Sequence, residues 1–266
     1  MSAYGSTKIH LSGVAKSFRS AQGDDQTVLS QVDLDITAGE FVCLVGPSGC
    51  GKTTLINLLA GFERPSEGIL EIDGRTVSSP DPDHIMIFQD YGLYPWKTVL
   101  NNVLFGLKAR GISKREARDK AFAALELVGL RSAADKHPHE LSGGMKQRVA
   151  IARALAVEPS VLFMDEPFAA LDAFTRIHLQ DELLRIWKEK RTTIVFVTHD
   201  LDEAIYLGQR VVLMAPYPGR IQRILNIHLP EPRERTGDDF ALIRRELFEE
   251  FHLVHRQAVS VSEYSI

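Results

Sequence analysis

Residues 46–53 read Gly-Pro-Ser-Gly-Cys-Gly-Lys-Thr. Glycines in such a run let several backbone N–H groups converge on one anion without interference from Cβ atoms. The spacing Gly46-x-x-x-x-Gly51-Lys52-Thr53 is that of a phosphate-binding loop. In that motif the lysine reaches the β- and γ-phosphates of a nucleotide, and the hydroxyl of the next residue ligates Mg²⁺. A glycine turn arising by chance would give the same letters without the same flanking elements. A second group is Val161-Leu162-Phe163-Met164-Asp165-Glu166. A buried strand ending in two carboxylates delivers them to one sheet edge, where Asp165 would help hold a Mg²⁺ shell and Glu166 would polarise a water facing the γ-phosphate. Standing alone, such a run is more often a plain strand end. A third group, Leu141-Ser142-Gly143-Gly144-Met145, sets a hydroxyl and two glycines at the start of a helical pattern. This is a second surface suited to an anion, and its plainer alternative is a helix cap followed by a flexible turn.

These groups require particular elements behind them. Phe41–Val45 is continuously apolar and bounded by turn residues, which predicts a strand buried on both faces of a parallel sheet. A helical pattern follows the loop over Thr53–Ala60, completing strand, glycine loop and helix. Ile9–Phe18 reads as a strand, Arg19–Gln26 as a polar stretch, and Val28–Ile36 alternates as a half-buried strand does. Strands are expected at Glu67–Asp73, His84–Phe88, Val161–Met164, Thr193–Val197 and Val211–Ala215. Tyr91–His139 reads as a mainly helical insertion, with a capping box at Ser113 and Glu116. Further helices are expected at Gly143–Ala156, Phe174–Lys190 and Leu201–Leu207, and in the charged tail around Asp239–Phe251.

Composition sets limits on the rest. The chain has 266 residues, 44% of them apolar and 25% charged, which suffices for a sizeable core and argues against wholesale disorder. A net charge of −4 lacks the basic excess of a general nucleic-acid binder, so no nucleic-acid partner is expected. The two cysteines, Cys43 and Cys50, lie in an apolar run and a glycine loop and do not form a disulfide framework. The polar Met1–Lys8 lacks the apolar core of a signal peptide, and no stretch approaches 18 uninterrupted apolar residues. If this chain works at a membrane, other chains are expected to supply the span.

With the phosphate loop before it and Asp165-Glu166 after it, Leu141–Met145 resembles the signature Leu-Ser-Gly-Gly-Gln of the ATP-binding subunits of ABC transporters, with Met145 in place of glutamine. The resemblance covers about Ile9 to Gly219. It implies an α/β fold of the P-loop NTPase class: a RecA-like core, a small antiparallel β subdomain and an inserted helical subdomain carrying the signature. On this reading the whole chain is one nucleotide-binding domain. The core and β subdomain take residues 1–89 and 157–229, the helical subdomain 90–156, and a helical tail 230–266. ATP and Mg²⁺ are the implied ligands. Nucleotide contacts fall to Phe18, which takes the adenine-stacking position, and to Gly46, Pro47, Ser48, Gly49, Cys50, Gly51, Lys52, Thr53 and Thr54. A core phenylalanine at a strand end is the alternative for Phe18. Thr53, Gln89 and Asp165 match the Mg²⁺-site residues, and Glu166 and His199 match the hydrolytic pair. Ser142, Gly143 and Gly144 match the surface that meets the ATP of an opposite subunit, and Asp172 matches the loop that communicates between the two sites.

The resemblance also implies partners. Two such subunits meet head to tail as a homodimer, and ATP joins them. Tyr91–Val99 matches the groove that receives a membrane permease, with Leu93, Tyr94 and Trp96 as anchors; ordinary subdomain core is the alternative for Trp96. Leu93-Tyr94-Pro95-Trp96, Phe168–Thr175 and Pro218-Gly219-Arg220-Ile221 resemble the nitrate, sulfonate and taurine importer branch. That branch is bacterial, works at the cytoplasmic face of the membrane, and relies on a separate solute-binding protein. A soluble ABC ATPase of DNA repair or translation would carry long coiled coils or two cassettes in one chain. A P-loop kinase would not need Ser142-Gly143-Gly144.

Overall fold

The computed structural model describes residues 6–19 and 23–263. Parts of the polar N-terminus and of the Arg19–Gln26 stretch lie outside the described residues. Ten strands are named here: β1 Thr7–Arg19, β2 Asp25–Thr37, β3 Phe41–Val45, β4 Glu67–Ile72, β5 Arg75–Thr76, β6 His84–Ile87, β7 Val161–Asp165, β8 Thr193–Val197, β9 Arg210–Ala215 and β10 Arg220–Asn226. The helices are α1 Lys52–Leu59, α2 Val99–Ala109, α3 Lys114–Leu127, α4 Gly143–Ala156, α5 Ala173–Lys190, α6 Leu201–Leu207 and α7 Asp238–Glu263. The chain divides into two compact units, Met1–Pro82 with Thr193–Ile266, and Asp83–Thr192.

The first unit holds an antiparallel sheet in the order β2-β1-β4-β5. It also holds β3 between β8 and β9, parallel to both, with β10 antiparallel on the outside of β9. Every residue of β3 and β8 is buried, as an apolar run without alternation requires in a parallel sheet. Helix α1 packs against β8, α6 against β3, and α7 against α6 and β9. The second unit pairs β6 with β7 in parallel and packs α2, α3 and α4 on one another, with α4 also against β6.

Several expectations need correction. β10 was not expected: its burial alternates along the whole strand, but Arg223 takes a half-buried position and Ile224 an exposed one, so the residue types do not show the period of two. β5 was also unexpected, although Asp73 and Gly74 both take positive φ, 52° and 68°, as the tight hairpin turn before it demands. The helical insertion starts only at Val99, because Gly92 and Pro95 interrupt the preceding segment and Tyr91 and Gly92 adopt left-handed backbone. At α3 the capping box is half formed. Ser113 Oγ accepts from Glu116 N–H at 3.4 Å, while the Glu116 carboxylate lies 3.9 Å from Lys120 Nζ. A reciprocal contact forms instead at Glu140, whose Oε2 accepts from His137 N–H at 2.6 Å. The tail helix outruns its expected span because Phe240, Leu247 and Val254, two turns apart, keep one face buried.

Candidate functional site

The phosphate loop leaves the C-terminal end of β3 and opens α1. Gly49 and Gly51 take φ of 79° and 89°, where a Cβ is strained, so these two positions need glycine for conformation alone. At Gly46 a Cβ would sit 2.7 Å from the Met214 carbonyl and 2.6 Å from Cys50 Sγ. The N-cap of α1 is Gly51 itself, with no side-chain cap and no acidic residue in the first turn. By contrast, Thr98, Ser113, Ser142, Asp172 and Asp200 each cap their helices with a side-chain oxygen. The first N–H groups of α1 thus face no competing local acceptor from the cap, and the helix dipole favours an anion there.

Lys52 is buried and aims back along the loop. Its Nζ donates to the Gly46 carbonyl at 2.7 Å and to the Pro47 carbonyl at 3.0 Å, with Cys50 Sγ 3.7 Å away. Burial pushes the Cys50 thiol up, against the pull of the Lys52 ammonium, so it stays protonated beside the loop. Thr53 is exposed and Thr54 half-buried.

His199 stands at the same sheet edge as this loop. It follows β8, whose neighbour β3 accepts from Thr198 N–H at Leu44 O, 3.2 Å away. The His199 ring is exposed. Its turn is held by two residues that the sequence did not single out. Thr198 Oγ1 donates to the buried Glu203 carboxylate at 2.7 Å and accepts from Asp200 N–H at 3.0 Å. Phe18, on β1, is 39% exposed, which removes the core alternative for it. Lys16 Nζ lies 4.7 Å from its ring centroid and is tied to Glu63 at 2.8 Å.

In the second unit, β7 ends at Asp165, which is buried, and the chain turns at Glu166 with φ of 47°. A glutamate in left-handed backbone, directly after a strand buried along its whole length, is the kind of strain that collects at functional sites. β6 runs parallel to β7 with Ile87 opposite Met164, so Gln89, exposed just past β6, belongs to the same edge as Asp165 and Glu166. Ser142 caps α4, its Oγ accepting from Met145 N–H at 3.3 Å. The two signature glycines are there for close approach. A Cβ at Gly143 would lie 3.1 Å from the Tyr91 hydroxyl, and one at Gly144 would lie 3.3 Å from the Ala170 carbonyl. Asp172 caps α5, accepting from Thr175 N–H at 3.0 Å, and that bond holds its carboxyl below the usual aspartate range.

Leu93 and Tyr94 are half-buried, and Trp96 is 72% exposed, which removes the core alternative for Trp96. Tyr94 packs its ring against Trp96 and Phe105, at centroid separations of 5.7 and 4.6 Å. Two residues that sequence reasoning passed over hold this segment. Asn102 is fully buried and bonds the backbone at Tyr94, Lys97 and Thr98. Arg153 of α4 donates to the carbonyls of Gly92 at 2.6 Å and Tyr91 at 3.2 Å. Asparagine in an apolar helix face was the available signal for the first; nothing local marked the second.

Among the described residues, no cluster of three or more His, Cys, Asp or Glu side chains could hold a metal unaided. In the second unit Asp165 offers a buried carboxylate, and in the first Thr53 offers an exposed hydroxyl, each a hard oxygen donor of the kind Mg²⁺ takes.

A family profile described as ABC transporter matches residues 29–169. The aliphatic sulfonates import ATP-binding protein of Bacillus subtilis is 47% identical over 230 residues, covering 86% of this chain and 89% of that protein. The nitrate import ATP-binding protein of Synechococcus elongatus is 47% identical over 232 residues, covering 86% and 84%. Among solved structures, an ATP-binding cassette captured as a dimer in a post-hydrolysis state, bound to ADP and phosphate, superposes with a TM-score of 0.77. It is 33% identical, and the match covers 83% of this chain and 99% of that one.

Proposed function

We propose, from the premise that this chain belongs to the ABC transporter family as one of its ATPases, that it powers the import of a small anionic solute through a separate membrane permease. The observation that carries this reading is the presence of both half-sites on one chain: a phosphate loop that opens α1 without a competing cap, and Ser142-Gly143-Gly144 opening α4. A head-to-tail homodimer would let each nucleotide lie between the loop of one subunit and the signature of the other. Closed twofold symmetry then makes the two sites equivalent. The dimeric cassette with ADP and phosphate supports a nucleotide-bound dimer by likeness.

In this mechanism Phe18 stacks on the base, and the backbone N–H groups of residues 46–54, all but Pro47, receive the phosphates. Lys52 transfers its two hydrogen bonds from loop carbonyls to phosphate oxygens, which carry more charge. Thr53, Gln89 and Asp165 would hold Mg²⁺, which when bound supplies positive charge against the phosphate oxygens. Glu166 orients and polarises the attacking water, and His199 contacts the γ-phosphate. Loss of the γ-phosphate removes the charge that both half-sites bind, so the dimer opens. Asp172 links the two sites, while Leu93, Tyr94 and Trp96 receive the permease. The relatives named for sulfonate and nitrate import support an anionic cargo; a separate solute-binding protein would deliver it. No helix among the described residues is long and apolar enough to cross a membrane. As an import ATPase the chain would work as a peripheral subunit at the cytoplasmic face.

The test is twofold. The purified chain should hydrolyse ATP only when Mg²⁺ is supplied, and the tagged chain should retain a polytopic membrane protein through detergent extraction. Recovery with ribosomes or DNA alone would refute the transport reading.

A further inference from the structure

Two contacts beneath the phosphate loop are not explained by binding phosphate. Leu29 of β2 is fully buried, and its Cδ2 lies 2.5 Å from where a Cβ on Gly51 would stand. Gly219, in the turn between β9 and β10, is tied to both neighbours of Leu29. It donates N–H to Val28 O at 2.8 Å and accepts from Ser30 N–H at 2.9 Å. A Cβ on Gly219 would meet the Cys50 carbonyl at 2.4 Å, the Val28 carbonyl at 2.8 Å and Leu29 Cδ2 at 2.9 Å. Tyr217, two residues earlier, takes φ of 62°, so the turn accepts a strained conformation on its way to this approach.

The other side of β2 leads to the base. Leu29 pairs across the sheet with Lys16, and Gln26 with Phe18. Lys16 in turn sets its ammonium 4.7 Å from the Phe18 ring centroid. Close approaches at Gly51 and Gly219 and backbone pairs along β2 therefore link the phosphate loop to Phe18 on β1, with a register shift between Lys16 and Ser17 on the way. Close-packed interiors transmit strain, so a displacement of the floor at Leu29 reaches both ends of this series.

We infer that Leu29 and Gly219 are positioning residues that form a floor under the phosphate loop and fix its distance from Phe18. A nucleotide then gains from its base and its phosphates at once only if that distance matches its own length. The inference rests on the nucleotide reading above, with Phe18 as the base platform. It deepens that reading by naming what sets the spacing.

The experiment compares two ligands by calorimetric titration, Mg²⁺-ATP and Mg²⁺-tripolyphosphate, which carries the phosphates without the base. Wild-type protein should prefer ATP by on the order of tenfold or more, the contribution of one stacked base, and Phe18→Ala should remove that preference. Gly219→Ala forces the Cys50 carbonyl or β2 to move and should also lose most of the preference. Leu29→Ala withdraws the support under Gly51 without adding bulk, so it serves if Gly219→Ala does not fold; it should shift the ratio in the same direction. Thermal unfolding without ligand checks that each variant is folded. A merely structural role would weaken both ligands equally and leave their ratio at the wild-type value. That result, in whichever variants fold, overturns the inference. A wild-type protein that binds neither ligand overturns the nucleotide reading itself.

Discussion

The carboxamide of Asn102 closes both backbone groups of Tyr94: Oδ1 accepts from Tyr94 N–H at 2.8 Å and Nδ2 donates to Tyr94 C=O at 3.2 Å. The same Nδ2 lies 3.1 Å from Lys97 O and 3.0 Å from Thr98 O. A loop of irregular backbone is thereby held from a helix interior, and Trp96 is presented outward on a fixed frame.

Asn102→Ala should therefore destabilise the fold strongly. Leaving buried backbone groups without partners costs about 1–3 kcal/mol each, so a loss of at least about 2 kcal/mol is expected in urea unfolding. Trp96→Ala should behave oppositely. At 72% exposure its removal should change stability by no more than about 0.5 kcal/mol, while recovery of the membrane protein from detergent extracts falls.

Glu166→Gln should lower turnover by about a hundredfold or more while ATP binding persists, because the amide keeps the size of the side chain but not its charge. With hydrolysis blocked, ATP should hold two chains together, and size-exclusion chromatography should show a dimer with ATP and a monomer with ADP. Steady-state turnover at the wild-type rate would remove Glu166 from the hydrolytic role.

Lys52→Ala should weaken nucleotide binding about tenfold or more in titrations with a fluorescent ATP analogue, since charge-assisted bonds to phosphate are the strong ones. It also strips the Gly46 and Pro47 carbonyls of their donor, so the ligand-free variant should melt at a lower temperature.

The acid response should carry a contribution from Glu158. Hydrogen bonds from Lys120 and Lys190, at 3.1 and 3.2 Å, hold its carboxyl below the usual glutamate range. A depressed folded value means stability that is present above the unfolded value of 4.5 and lost as pH falls through the folded one. With Glu158 about half exposed, solvent screening limits the effect at neutral pH to well under about 1 kcal/mol. Glu158→Gln should thus be slightly less stable than wild type at pH 7, with the difference gone well below pH 4.5 in a series of urea titrations.

What the sequence made legible was local in chemistry. Gly46 to Thr53, Asp165-Glu166 and Ser142 to Gly144 are each a few consecutive residues whose types are dictated by one ligand or one turn, and the strands and helices around them follow from apolar period. What stayed hidden depends on partners far away along the chain. Gly219 reads as an ordinary turn glycine until the Cys50 carbonyl is found beside it. Arg153 reads as one of several cations on α4 until Tyr91 and Gly92 supply its acceptors. Phe18 and Trp96 left two readings open because an aromatic residue carries no mark of which way it faces, and their exposure of 39% and 72% removes only the core alternative.

The bonds of Lys52 to its own loop have a consequence for what the loop ignores. An arriving ligand competes not with loosely held water but with two carbonyl oxygens already in place at 2.7 and 3.0 Å. Only an acceptor with more negative charge than a peptide oxygen, offered at several points together, gains by the exchange. A small monovalent anion, such as the nitrate for which one relative is named, carries less negative charge than a nucleotide's phosphates to set against that exchange. If the cargo is a small anion, as proposed, it would compete poorly with a nucleotide for this loop.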